Sequence, residues 1–433
     1  MLARHDSSIK TARGCLRDTA WFASLVIIAF AYLTSEAAPK PMIEYFKPMP
    51  IIGKLTTSGW GYKLVGPHDS SNGLENTAKW WYWDGKILKA PNGKYHMFAS
   101  RWDVKLGISA WMGSSISVHA VSDSLFGPYQ DLGPTYTYQN SKGHNTTGLM
   151  LKDSTYAVVE SAVVPGWIFT AKTLDGPFSY LGSISWNDNG FNIGSPTANL
   201  SLFIGADNKY WGFSNTGAVM NNADNVLGKY DVRTSRIYPS VPGEDNGKAE
   251  DPIMWYSGGY YHVVYNYWNT RRGYHIMSKD GVHNWIYTGL ALDRSSNFCR
   301  YTDGTVNHWG NMERPNVYME NGHVVAFTFA ATDDNKDESK ATAGKILVVP
   351  FDGVKFDADS GGTLVTGCAG GSGGRGPGGI AGWGIAARAA RKGAVDLCGR
   401  EIGNNGMPRS GIYLVQTADG RGIRKFLDFG NGR

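Results

Sequence analysis

The chain has 433 residues, with 42 Lys and Arg against 37 Asp and Glu, which gives a formal net charge of +5. Much of the positive excess lies in the two termini, so the charge does not indicate a nucleic-acid-binding surface. Aromatic residues make up 13% of the chain and charged residues only 18%. This composition suits strands, and the aromatic rings either fill a core or stack on sugar rings.

The first 37 residues have the pattern of a secretory signal peptide. Basic residues at positions 10, 13 and 17 precede an apolar stretch over residues 21–34, and small residues stand at 35 and 37. The stretch is short for a transmembrane span, so we predict cleavage near Ala37 and a secreted product without membrane attachment. An uncleaved signal anchor is the alternative, because the leader before the apolar stretch is long.

A short hairpin pattern recurs five times, at residues 90–96, 152–156, 206–210, 257–261 and 320–323. Each copy places a turn of Asp, Asn or Gly type between apolar or aromatic runs, which is typical of a β-hairpin. Most copies are followed by a second turn that supplies two more strands. We therefore predict an all-β chain with a β-propeller of four-stranded blades over residues 39–358. Five repeats favour five blades, and the length leaves seven open.

Residues 359–433 differ in character from the repeats. The segment 368–384 consists almost entirely of Gly, Ala, Ser and Arg, and the basic stretch after it has no apolar face. Such a composition buries too little apolar surface to offset chain entropy, so we predict a disordered tail.

Acidic side chains stand where three of the five inner strands begin. They are Asp84, Glu250, Asp251 and Glu313. Ligands of propellers bind where these strand ends converge, and a glycosidase needs two carboxylates that flank the scissile bond. The second and third inner strands begin without an acid. The alternative is structural: such carboxylates cap backbone amides or pair with arginine.

Histidines and arginines form a second set of candidates, namely His96, His119, His144, Arg101, Arg271 and Arg314. These residue types suit β-elimination from a uronic acid, in which a base removes the C5 proton and a planar arginine neutralises the neighbouring carboxylate. The alternative for each histidine is a structural role. A zinc site of His96, His119 and His144 is a weaker alternative, because no short His-His spacing exists.

Cysteines and sequons add little chemistry. The four cysteines lack metal-ligand spacing, so we predict no metal site and no required cofactor, with a structural calcium ion on the axis left open. Two sequons, at Asn145 and Asn199, agree with a secreted glycoprotein.

The segments 95–102, 118–123, 126–129, 143–145, 249–252 and 300–309 resemble propeller-type polysaccharide lyases, in particular secreted fungal L-rhamnose-α-1,4-D-glucuronate lyases. The resemblance covers roughly residues 50 to 355. It implies removal of terminal rhamnose from glucuronate in plant arabinogalactan-type glycans, a pair of catalytic histidines on the first blade, and seven blades. Only His96 and His119 match that histidine pair.

The chain also looks like glycoside hydrolase family 43, a five-bladed fold with three catalytic acids from its first three blades. Asp84 matches the first acid, whereas residues 144–145 and 195–196 stand where the next two are expected. We therefore predict a monomeric lyase acting on a uronate-containing polysaccharide. His119 and His96 transfer protons, His144 contacts substrate, and Arg101, Arg271 or Arg314 holds the uronate. A family 43-like hydrolase and a non-catalytic glycan-binding propeller are the alternatives.

Overall fold

A computed structural model of the protein describes residues 40–57, 65–334 and 341–362, together with the strands Gly411–Gln416 and Ile423–Asp428. The signal peptide predicted over residues 1–37 lies outside the described residues. Within the described part of the chain, no helix has the length and apolarity needed to span a bilayer.

Five antiparallel sheets follow one another along the chain, and we number them as blades 1 to 5. Blade 1 contains β3 (Trp80–Lys89), β4 (Tyr95–Asp103), β5 (Ile116–Ser122) and β6 (Gln130–Pro134). Blade 2 contains β7 (His144–Met150), β8 (Tyr156–Ala162), β9 (Trp167–Ala171) and β10 (Ser179–Ser183). Blade 3 contains β12 (Ser201–Ile204), β13 (Tyr210–Phe213), β14 (Val219–Ala223) and β15 (Tyr230–Val232), with β11 (Trp186–Asn187) parallel to β15.

The last two blades complete the ring. Blade 4 contains β16 (Ala249–Ser257), β17 (Tyr260–Tyr267), β18 (Arg272–Ser278) and β19 (Ile286–Asp293). Blade 5 contains β20 (Asn311–Glu320), β21 (His323–Thr332) and β22 (Gly344–Pro350). The short strands β1 (Leu55–Thr56) and β2 (His68–Asp69) pair separately, and the helix α1 (Trp111–Ser114) lies between β4 and β5. The five-bladed all-β propeller is thus confirmed, and the seven blades that the lyase resemblance implies are not found.

Each pair of neighbouring blades shares one hydrophobic core, because both faces of a blade are covered. Five clusters of buried residues fill the spaces between blades 1–2, 2–3, 3–4, 4–5 and 5–1. Their members include Phe98 and Phe169, Val159 and Met220, Phe213 and Val263, Trp255 and Phe327, and Ile346 and Met97, respectively. Burial falls from the axis outwards. Every residue of β17 is buried, whereas β6 and β10 are mostly exposed.

The start of the described chain closes the ring against blade 5. Leu74 exchanges backbone hydrogen bonds with Ile346 on the free edge of β22, at 3.1 and 3.0 Å. The Asn72 amide reinforces this contact with two hydrogen bonds to the backbone of Val348, both 3.0 Å. Gly73 lies between them with φ +73°, and a Cβ there would stand 1.9 Å from the Ile346 carbonyl oxygen. This segment before blade 1 therefore covers part of the strand edge that β22 would otherwise expose.

A helix follows the last strand of the propeller and crosses the predicted boundary of the tail. The helix α2 (Gly353–Gly362) runs past the predicted tail boundary at residue 359. Its Phe356 is buried against Tyr45, with ring centroids 5.3 Å apart, so the helix belongs to the folded unit. Further on, β23 (Gly411–Gln416) and β24 (Ile423–Asp428) pair antiparallel. The rest of the predicted tail lies outside the described residues, and its disorder stays a prediction.

Candidate active site

Five side chains, one from each blade, form a ring at the propeller axis. All five residues have positive φ, between 48° and 73°: Asp84, Asn145, Asn199, Asp251 and Arg314. Asp and Asn are the non-glycine residues that adopt this left-handed conformation most readily, which explains four of the five. In blades 1, 4 and 5 the strand register also shifts at this point, and such bulges redirect side chains. We call these residues the axial ring.

Hydrogen bonds run around the axial ring from blade to blade. The Asn145 amide donates to Asn199 Oδ1 at 2.6 Å, and the Asn199 amide donates to Asp251 Oδ1 at 2.5 Å. Arg314 donates from Nη1 to Asp251 at 3.3 Å and from Nε to Asp84 at 2.8 Å. The circuit is closed beside Asn145, where the Thr146 amide donates to Asp84 Oδ2 at 2.9 Å.

The charged groups of the ring are buried and pair with one another. Asp84 is fully buried, and this burial raises the pKa of its carboxyl although Arg314 and the hydroxyl of Ser100 favour the charged form. Burial disfavours the charge on Arg314, but the carboxylates of Asp84 and Asp251 outweigh burial and raise its pKa. One guanidinium thus serves two buried carboxylates.

The asparagines of both predicted glycosylation sequons belong to the axial ring. The amide nitrogens of Asn145 and Asn199 are the atoms to which a glycan would be attached, and both donate within the ring. A glycan would replace one of the two hydrogens on either nitrogen and leave the other to donate. Glycosylation therefore stays a prediction.

Next to the ring, Glu160 is an acid that sequence reasoning missed. It is fully buried on β8, directly opposite Thr146, whose hydroxyl donates to it at 2.9 Å. Burial raises the pKa of Glu160 to about 8, against the effect of that hydrogen bond. The carboxyl is therefore mostly protonated at neutral pH. Glu160 lies on the second strand of blade 2, and no pattern in the sequence predicts that a residue there will lie beside the axis.

Three carboxylates meet at the start of blades 4 and 5. Oxygen atoms of Glu250, Asp251 and Glu313 all lie within 4.8 Å of one another. Glu313 is fully buried and forms an ion pair with Arg271, and Asp251 is 4% exposed beside Arg314. The structure thus brings together three of the four candidate acids named from the sequence. Two of the three pair with arginine, as the structural alternative expects.

Only Glu250 of this acidic cluster is half-exposed. It lines a cavity of about 500 Å³ together with Trp268, whose ring is 45% exposed. Oxygen donors of this kind suit a hard cation such as Ca²⁺. Arg271 and Arg314 already neutralise two of the three charges, which leaves little charge for a divalent ion to balance.

The predicted proton-transfer pair lies elsewhere. His96 and His119 contact each other, with Nδ1 and Nε2 2.8 Å apart, and both are buried. His96 shares a face of β4 with Phe98, which packs into the core between blades 1 and 2. It stands three residues, roughly 10 Å, along β4 from Ala99, the partner of Asp84. This placement gives the predicted proton-transfer role no support.

The other predicted residues divide into two groups. His144 begins β7 next to the ring, bonded through Nδ1 to the Ser115 hydroxyl at 2.9 Å and stacked on Trp111. Arg271 and Arg314 stand at the acidic cluster and the ring. Arg101 instead pairs with Asp131 on β4 and β6 and covers a tryptophan ring, away from the axis. Of the three histidines of the zinc alternative, His96 and His119 contact each other, but among the described residues the three do not form a group close enough to hold a metal ion.

Blade 4 repeats the buried histidine pair of blade 1. His262 Nδ1 and His275 Nε2 are 3.0 Å apart. Burial lowers the pKa of His262 and of His119 to about 4, and lowers that of His96 and His275 as well. These imidazoles are neutral structural groups at pH 7.

We expect the buried histidines to make the fold acid-labile. Because their folded-state pKa values lie below the unfolded value of about 6.5, stability is complete above that pH and falls as pH drops towards 4. For His262 the loss amounts to roughly 3 kcal/mol. Proton NMR should show the imidazoles of His262 and His119 failing to titrate above pH 5. Titration of both near pH 6.5 would contradict the expectation.

The fold and site define a five-bladed β-propeller with an acidic cluster at its axis. No protein-family model and no curated protein matches the chain. Similar solved structures include a thermostable family-43 glycoside hydrolase, with 11% identity over 65% of this chain and 92% of that one, at a TM-score of 0.44. They also include an endo-1,4-β-xylanase from Bacteroides thetaiotaomicron, with 16% identity over 64% of this chain and 95% of that one, at a TM-score of 0.45. A third is an exo-β-1,3-galactanase from Phanerochaete chrysosporium, with 10% identity over 69% of this chain and 64% of that one, at a TM-score of 0.44.

The sequence identities and TM-scores are too low for these structures to assign a function to this chain. The blade count rests on the strand pairing above. The resemblance to rhamnose–glucuronate lyases gains no support from these structures, and the blade number departs from the seven blades that it implies.

Proposed function

We propose that the protein hydrolyses glycosidic bonds of a polysaccharide at the axial mouth of the propeller. The observation that carries this proposal is the convergence of Glu250, Asp251 and Glu313, with oxygens within 4.8 Å of one another, beside an exposed tryptophan. Glycoside hydrolysis needs two carboxylates in reach of one bond, and aromatic rings stack on sugars. A polymer outside the cell agrees with the leader predicted over residues 1–37.

The surroundings suggest different roles for the three acids. Glu250 is the half-exposed one and lines the cavity, so it is the proton donor to the leaving oxygen. Asp251 forms an ion pair with Arg314 and faces the developing positive charge on the sugar ring. Glu313, fully buried against Arg271, positions that arginine and does not touch substrate.

The spacing also predicts the stereochemical course. Carboxyl groups about 5–5.5 Å apart are typical of retaining glycosidases, whereas inverting enzymes need about 6.5–9.5 Å to admit a water molecule. The separation within the acidic cluster is on the short side of this division. We therefore expect the first product to keep the anomeric configuration, with Asp251 as the group that bonds to the anomeric carbon and water releasing it.

A purified-protein assay tests the proposal. The protein is incubated with arabinan, xylan, β-1,3-galactan and gum arabic, and two signals are followed: new reducing ends and the ultraviolet absorbance of an unsaturated uronate. Reducing ends without that absorbance support hydrolysis, and NMR of the fresh product reports the configuration. A rise in absorbance would instead support β-elimination. Retention on immobilised glycan with neither signal would favour the non-catalytic binding propeller.

A further inference from the structure

The cavity beside Glu250 has a positive rim that hydrolysis alone does not require. It lies between blades 3 and 4 and is lined by Asn215, Thr216, Arg236, Lys248, Glu250 and Trp268, together with the backbone of residues 247 and 249. Of its side chains, two are cationic and one is acidic. These two cations are available to a ligand only where no carboxylate of the protein pairs with them.

Arg236 is held in place without being neutralised. Its guanidinium donates to three backbone carbonyls, those of Asn215 at 3.3 Å, Ala249 at 3.4 Å and Asn246. It also covers the ring of Tyr238, 4.6 Å from the centroid. The side chain is exposed, and within the described residues it has no carboxylate partner. Carbonyl acceptors fix the geometry of a guanidinium but leave its charge available to a ligand.

Lys248 supplies a second available charge. Its ammonium group lies 5.7 Å from the centroid of the Trp268 ring, and the side chain is exposed. No ion pair of Lys248 exists in the part of the chain that the structure describes. Arg271, which also lies over Trp268 at 4.9 Å, is by contrast committed to Glu313.

We propose that this cavity is a subsite for a negatively charged sugar, next to the bond that is cleaved. The sugar ring stacks on Trp268, and its anionic group binds between Arg236 and Lys248. A carboxylate and a sulfate ester have the required charge, and the fork of Arg236 matches either oxyanion. This inference rests on the proposed function, because it assigns the substrate class to the same site.

Binding to an inactive variant tests the subsite separately from catalysis. In a Glu250→Gln background, tryptophan fluorescence is titrated with a glucuronate-containing oligosaccharide, its carboxyl-reduced form and a sulfated galactose oligosaccharide. We expect an anionic ligand to bind at least tenfold more tightly than the reduced one, with the preference weakening as salt is raised. Lys248→Met and Arg236→Gln should each reduce the preference to under threefold. Lys229→Met, at an exposed lysine in the turn before β15, should leave it unchanged.

The outcomes separate the two proposals. Equal binding of the charged and reduced ligands, or a preference that survives both rim substitutions, overturns the subsite even if neutral glycans are cleaved. A preference that depends on the rim supports the subsite even if no glycan is cleaved, in which case the hydrolase proposal fails alone. Tighter binding of the glucuronate or of the sulfated ligand tells the two sources of the charge apart.

Discussion

Glu250→Gln is expected to reduce kcat/KM on the cleaved glycan by about 10²- to 10⁴-fold, the range of a general acid–base contribution. The substitution keeps the size of the side chain and removes its transferable proton. Because Glu250 is half-exposed and lines the cavity, we expect little change in folding. The measurement is initial rate against substrate concentration, with thermal unfolding recorded in parallel.

Two features make this result interpretable. Glu44→Gln removes an exposed glutamate from the short helix Met42–Tyr45, far along the chain from the mouth, and should retain full activity. The loss should also be smaller with activated aryl glycosides than with the natural glycan, since an aryl oxide is a good leaving group and needs less protonation. A Glu250→Gln enzyme with near-normal activity on both substrates would exclude Glu250 as the proton donor.

Arg314→Met is expected to destabilise the propeller by about 3–5 kcal/mol, the cost of removing one partner of a buried ion pair. Methionine fills most of the space but leaves the carboxylates of Asp84 and Asp251 buried without their shared cation. Denaturant unfolding followed by tryptophan fluorescence measures the change. Arg233→Met, at an exposed arginine bonded to Asn221, is the matched control, with an expected change within about 0.5 kcal/mol.

A second substitution makes the ring prediction sharper. Adding Asp84→Asn to Arg314→Met removes one of the two stranded charges, so the double variant should recover part of the lost stability. The coupling energy between the two sites should then be well above the error of about 0.5 kcal/mol for independent positions. A loss below about 1 kcal/mol in Arg314→Met, or strict additivity, would show that the ring does not hold the blades together at the axis.

Local patterns in the sequence determined the fold class and the blade count. The five turns rest on residues that accept positive φ, such as Gly93 and Asn321, and turn chemistry depends only on neighbouring residues. Glu250 and Glu313 could be named as candidate acids because they stand at a recognisable strand start, although the site predicted from the sequence consisted of histidines and arginines.

The tertiary structure alone decided which polar side chains reach the axis. The strands of a blade are buried on both faces, because a neighbouring blade packs on each side. Polar and apolar residues therefore do not alternate along them, and the sequence does not show which neighbouring blade a side chain will contact. His96 and Glu160 are both buried on second strands, yet one lies in a core between blades and the other beside the ring. The backbone hydrogen bonds between Leu74 and Ile346 join residues far apart in the chain, and they form only when the circle of five blades is complete.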